Sequence, residues 1–211
     1  MQFQIDILSR ITASVLLASV AAHASAAGTV VLDTYPAGQD PFGWPSQVFA
    51  DASGRQDIAV PFTLTSATSI QSVLTSLDGV GDVTLGILAS AGSTPAGGGW
   101  LYSAHLTDPV MNSTLSPTGW TLVAGTYWLA AVADSGFDGQ WQSGTEDYSG
   151  DWAQADANGW TAVTSTFIGM PAARITVAAA VPEPGTCALM LAGGLLVAGV
   201  ARRKSNARQQ G

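Results

Sequence analysis

The chain predicts an all-β fold, an antiparallel β-sandwich or jelly-roll-like domain flanked by an N-terminal signal peptide and a C-terminal transmembrane helix. Three observations point there. Glycine is abundant, at 24 of 211 residues, and only 10% of side chains are charged. Thr, Ser, Val, Ala and Trp dominate, a mixture that suits short strands and turns better than helices. Alternating or β-branched runs also recur about ten times, each bounded by turn residues.

The first element is a leader. Residues 1–27 carry Arg10, an apolar run from Ile11 to Ala22, and the small-residue stretch His23-Ala24-Ser25-Ala26-Ala27. That is the layout signal peptidase cuts, and cleavage near Ala26 or Ala27 leaves a mature chain starting near Gly28. Residues 28–180 then make one domain, long enough to bury a core. Strands are predicted over 29–35, 47–50, 57–65, 69–77, 83–89, 100–107, 120–124, 126–133, 139–142, 161–168 and 174–179. The 69–77 run also fits a short helix. Turns are predicted at Asp78-Gly79, Thr94-Pro95 with the glycines that follow, Pro117-Thr118-Gly119, Ala124-Gly125, Ser135-Gly136 and Asn158-Gly159. The only cysteine, Cys187, lies beyond this domain, so core packing and strand pairing hold it without a disulfide.

Charge excludes one class of partner. The whole chain is formally −8, but residues 28–180 hold two arginines, Arg55 and Arg174, against thirteen carboxylates. A surface that acidic repels phosphate backbones, so no nucleic-acid partner is expected. The plainest role of the charge is solubility outside the cell.

The search for chemistry returns mostly exclusions. The domain has one histidine, His105, and no lysine. A Ser-His-Asp centre would have to pair His105 with Ser103, which lacks the glycines of a nucleophile elbow. Gly97-Gly98-Gly99 runs into Trp100 and a strand, not into the Lys-Ser or Lys-Thr of a phosphate loop. Glu146, Asp147 and Asp151 cluster among Trp141, Tyr148 and Trp152, which leaves paired-carboxylate glycoside hydrolysis as a remote option. Aspartates four apart (78/82, 134/138, 147/151) suit calcium as oxygen ligands, but no pair matches a known calcium loop, so no cofactor is expected and a structural calcium is left as an option without assigned ligands. Seven tryptophans exceed what a small core needs. Trp141, Trp152 and Trp160 sit in polar, glycine-rich surroundings, where an indole face stacks on a sugar ring, so they are the candidate glycan-stacking residues. Trp128, within Tyr127-Trp128-Leu129, reads as core.

The C-terminal segment, 181–211, begins with Val181-Pro182-Glu183-Pro184-Gly185, continues with an apolar run from Cys187 to Ala201, and meets Arg202-Arg203-Lys204. Fifteen apolar residues at about 1.5 Å each reach roughly 22 Å, short of a hydrocarbon layer of about 30 Å. A span over 186–201 therefore relies on flanking residues and snorkelling cations. Pro182 and Pro184 keep the preceding stretch extended. The basic cluster acts as the membrane stop and stays cytoplasmic, which agrees with a leader that sends the central domain outward.

The order of Pro-Glu-Pro, glycine-rich apolar run and basic cluster resembles the PEP-CTERM sorting signal, with Ser205 to Gly211 as an additional tail. The resemblance implies transient inner-membrane anchoring, cleavage by an exosortase near Pro182-Glu183-Pro184, and delivery to the cell surface or beyond. Residues 47–88 and 122–130 are similar, more loosely, to β-sandwich domains that precede such tails, which implies architecture and no activity. The expectation is a non-catalytic surface or matrix protein linked to exopolysaccharide and biofilm. The alternative is a carbohydrate-binding module.

Overall fold

The computed structural model describes residues 28–36, 40–41, 43–144, 150–165 and 169–179. Backbone contacts gather Ala27–Ala179 into one unit. In chain order its strands are β1 (Thr29–Asp33), β2 (Ser46–Asp51), β3 (Gly54–Leu64), β4 (Thr68–Thr75), β5 (Leu77–Val80), β6 (Asp82–Ala91), β7 (Thr94–Pro95) and β8 (Tyr102–Thr107). They continue with β9 (Ser113–Leu115), β10 (Thr121–Leu122), β11 (Gly125–Ala133), β12 (Asp138–Trp141), β13 (Gly150–Asp156), β14 (Gly159–Ser165) and β15 (Ala173–Val177). No helix occurs among the described residues.

Two antiparallel sheets result. The smaller runs β1-β15-β4-β10, with β9 also on β4; the larger follows β5-β12-β2-β3-β11-β6-β7, with the β13–β14 hairpin on β3 and β8 on β6. Strand β3 is the hub, because its residues 54–56 pair with β2, 57–59 with β13 and 58–64 with β11. One core joins the sheets. Ile58, Val60, Phe62 and Leu64 of β3, Val83, Leu85 and Ile87 of β6, and Leu129 and Ala131 of β11 meet Ile70 and Val73 of β4 and Ala173, Ile175 and Val177 of β15. The period-two spacing of these positions is what a strand with one face toward a core requires.

The opposite face of the larger sheet is also covered. Ala59, Leu88, Trp128, Ala130 and Ala153 form a second buried cluster, with Trp100, Val132 and Trp160 packed against it. Strand β11 is therefore buried on both faces, which explains why Tyr127-Trp128-Leu129-Ala130-Ala131 is apolar without alternation.

The ambiguous 69–77 segment is strand. Residues 68–75 belong to the smaller sheet and 77–80 to the larger, so the chain changes sheets at Ser76. There the Ser76 N–H donates to Ala172 O at 3.1 Å, and Ser76 O accepts from Gln142 N at 3.0 Å. Asp78-Gly79, expected as a turn, instead lies inside β5. A side chain on Gly79 would meet the Phe137 ring at 2.6 Å and Gly139 Cα at 2.7 Å, so this glycine serves close packing, not reversal. Asn158-Gly159 does turn the chain, with Gly159 at a φ of 112° and Asp156 Oδ1 accepting from Asn158 N at 2.7 Å. Strands β7, β9 and β13 fall where no strand was expected, β7 at the Thr94-Pro95 predicted as a turn.

Candidate functional site

The aromatic face proposed for sugars does not assemble. Trp141 is fully buried and Trp152 is 3% exposed, both inside the inter-sheet core. The polar neighbours of Trp141 mislead because they alternate with it along β12: Gln140 is half-buried on the other side, while the Trp141 indole points inward and donates from Nε1 to Ala172 O at 2.9 Å. Trp152 sits in β13 next to Ala153, and the two residues face different clusters. Trp160 is half-buried against the outer cluster of Trp128 and Leu88. Neither Trp141 nor Trp152 offers a ring face to a ligand.

The exposed indole is Trp44, at 73%. Its backbone is held firmly: the Ser143 hydroxyl donates to Trp44 O, and a side chain on Gly43 would meet Ser143 Cβ at 2.7 Å. The side chain thus projects from a fixed base. Its position outside every predicted strand, between Gly43 and Pro45, is the signal that could have found it.

His105 lies on β8 with a side chain 75% exposed. Its Nδ1 is 3.2 Å from Thr84 Oγ1 and 3.4 Å from Asp134 Oδ2, and the Thr84 hydroxyl also donates to Asp134 at 3.3 Å. Hydroxyl and carboxylate crowd the same ring nitrogen. A general-base relay places hydroxyl and carboxylate on opposite nitrogens, whereas here both meet Nδ1, linking β6, β8 and the residue that follows β11. Ser103 pairs with Gly86 across the strands and does not join them.

The acidic residues divide similarly. Glu146 and Asp147 lie outside the described residues. Asp151 accepts from Thr164 Oγ1 at 3.0 Å across the β13–β14 hairpin. Asp82 accepts from Thr107 at 2.5 Å, and the Asp78 Oδ1 atom is buried without a partner among the described residues. Among those residues no group of three or more His, Cys, Asp or Glu side chains is placed to hold a metal ion.

Two charged residues tie neighbouring strands together, Asp57 within the larger sheet and Arg174 within the smaller. Asp57, 4% exposed, takes the Arg55 Nε–H at 2.6 Å on Oδ2 and the Ala133 N–H at 2.9 Å on Oδ1. Burial pushes its carboxyl above the usual range, opposed by the Arg55 and Ala133 hydrogen bonds. Arg174 meets Asp33 at 3.0 Å, its register partner across β1 and β15, and lies 5.6 Å from the centre of the Tyr35 ring. Burial raises the Tyr35 phenol. A shallow, open depression lined by Asp51, Gly54, Arg55, Gly136 and Ala157 includes Arg55, a cation already engaged by Asp57.

The remaining candidates, Pro182, Glu183, Pro184, Arg202, Arg203 and Lys204, lie beyond the described residues, as does the 186–201 span. Among the described residues no helix is long and apolar enough to cross a membrane. A family model, the PEP-CTERM protein-sorting motif, matches residues 180–204. The chain carries a PEP-CTERM sorting motif. The motif begins three residues after the last strand ends at Val177 and takes in both the Pro-Glu-Pro tripeptide and the basic cluster. The motif supports an exported protein sorted by an exosortase, with C-terminal membrane anchoring before cleavage and a place at the cell surface or outside the cell. No curated protein and no solved structure matches the chain.

Proposed function

We propose that this PEP-CTERM protein is a non-catalytic β-domain displayed in the cell envelope or extracellular matrix, in association with exopolysaccharide and biofilm. The carrying observation is the placement of the sorting motif, 180–204, directly after a two-sheet domain that ends at β15. In this reading signal peptidase removes residues 1–27, the 186–201 helix holds the chain in the inner membrane, Arg202-Arg203-Lys204 stops transfer, and the exosortase cuts near Pro182-Glu183-Pro184. The geometry of His105, with both oxygen partners on Nδ1, supports a structural role for the one histidine of the domain.

Replacing Pro182, Glu183 and Pro184 together by alanine tests the reading. Export continues and the chain accumulates uncleaved in the inner membrane, because the apolar run and the cations are untouched. Normal release of that variant at full yield would contradict exosortase sorting.

Carbohydrate binding is the second reading, and the exposure of Trp44 favours it. An indole fixed at its backbone and open on its faces is a stacking platform. Tryptophan fluorescence that shifts with the host exopolysaccharide and is lost in Trp44→Ala supports it, and an unchanged shift in that variant removes it.

A further inference from the structure

We propose that Asn158, at the tip of the β13–β14 hairpin, is a self-modifying site: it converts to aspartate and isoaspartate through a succinimide formed with the backbone nitrogen of Gly159. The hairpin reverses over Ala157 and Asn158, with Asp156 facing Gly159 across the turn. All of residues 156–159 are exposed, so water reaches the Asn158 amide. The nucleophile is a glycine nitrogen. Gly159 has no side chain to shield it, and even an added Cβ would meet nothing within 4 Å.

The pairing of these two residues follows from how the turn is made. Gly159 has a φ of 112°, which only glycine holds without strain, and asparagine is favoured in turns because its side chain bonds the local backbone. The chemistry that closes the hairpin therefore sets a side-chain amide beside the least hindered type of backbone nitrogen. The domain's other asparagine is a built-in comparison. Asn112 is also exposed, and its Nδ2 donates to Asp40 Oδ1 at 3.0 Å, but the next residue is Ser113, which has a side chain and pairs with Thr75 in β9.

The reaction needs only water. Gly159 N attacks Asn158 Cγ, an N–C bond forms, the Cγ–Nδ2 bond breaks, and ammonia leaves with the proton from the Gly159 N–H. Water then opens the succinimide at either carbonyl, giving aspartate at one and isoaspartate at the other. Because the attacking nitrogen must shed its proton, the rate rises with pH.

Conversion reverses an interaction at the tip. Asp156 accepts from Asn158 N at 2.7 Å on Oδ1 and from Asn158 Nδ2 at 3.2 Å on Oδ2. Those hydrogen bonds hold the Asp156 carboxyl below its ordinary value. Replacing the Nδ2 donor with a second carboxylate turns attraction into repulsion between ionised neighbours. The hairpin, whose Trp152 reaches the inter-sheet core, loosens from its tip.

Peptide mapping by mass spectrometry tests this on the full chain in detergent, kept folded at neutral and mildly alkaline pH. The expected result is aspartate and isoaspartate at position 158, forming several-fold faster than at Asn112 and faster still as pH rises, with ammonia released in step. Asn158→Gln, whose longer side chain closes a ring far more slowly, should abolish conversion at the tip with the circular dichroism unchanged. Asn158→Asp reproduces one product and should speed hydrogen exchange across 150–165 relative to wild type, less so in added salt. Unchanged exchange in that variant would overturn the loosening of the hairpin. An Asn158 that stays intact in the folded chain, converts no faster than Asn112, or reacts only after unfolding in urea would each overturn the modification site itself.

Discussion

Trp141 and Trp44 stand at the same end of two paired strands and have opposite fates. Trp141 faces Ser46 across β12 and β2, and Trp44 lies two residues before Ser46, yet the first is fully buried and the second 73% exposed. Their local sequences, Gly-Gln-Trp-Gln and Phe-Gly-Trp-Pro, look equally polar or turn-like. The phase of each residue relative to the sheet decides the outcome. Trp141 falls on the inward phase and has a carbonyl waiting for its N–H, whereas Trp44 precedes the strand and is fixed only through its backbone.

Stability measurements sharpen that contrast. The largest loss is expected from Trp141→Ala, about 3–5 kcal/mol, because a large core ring is removed and Ala172 O loses a donor. Urea unfolding reads this directly. A loss below about 1 kcal/mol would place Trp141 outside the core.

Asp57 comes next. Asp57→Ala leaves the buried Ala133 N–H without its acceptor and should cost about 1–3 kcal/mol. Asp57→Asn keeps an acceptor and removes the charge, which separates the hydrogen bond from the ionisation. Because burial raises the Asp57 carboxyl, its contribution is fully present below the unfolded aspartate range and is lost as pH rises through the raised value. The stability of Asp57→Asn relative to wild type should therefore increase from acid to neutral pH. Asp51 and Asp156 run the other way, since hydrogen bonds from Ser53 and Asn158 lower them. Their contribution is present above the unfolded value and fades as pH falls through their lowered ones. A flat difference between wild type and Asp57→Asn across this range would contradict the assignment.

The smallest effect belongs to Trp44→Ala, expected within about 0.5 kcal/mol of wild type, as for other surface substitutions. A larger loss would show that Trp44 packs against the domain and has no free face.

The all-β class was legible because composition, β-branched runs and turn residues agree, and the run predicted over 57–65 overlaps β3, Gly54–Leu64. The segment at 150–156 was not legible. Its acidic and small residues suit an exposed loop, and β13 exists because Ala153 can sit flat against Ala59 of β3 while Trp152 reaches the inner core. Gly79 was misread for a related reason, since a glycine required by the Phe137 ring looks the same in sequence as one required by a turn. The tail was the most readable part, because tripeptide, apolar run and cations act through order along the chain and need no tertiary contact. The sugar-stacking triad failed because exposure of an indole is a tertiary property.

The central claim is that the C-terminal motif delivers the β-domain and is then removed. Intact mass spectrometry of the protein recovered from the surface or medium of exosortase-bearing cells tests it most directly. The account predicts a chain that begins near Gly28 and ends near Pro184, without Cys187 or the basic cluster, and that retains its tail when the exosortase is deleted. Mature protein that still carries Arg202-Arg203-Lys204 in exosortase-bearing cells would contradict it.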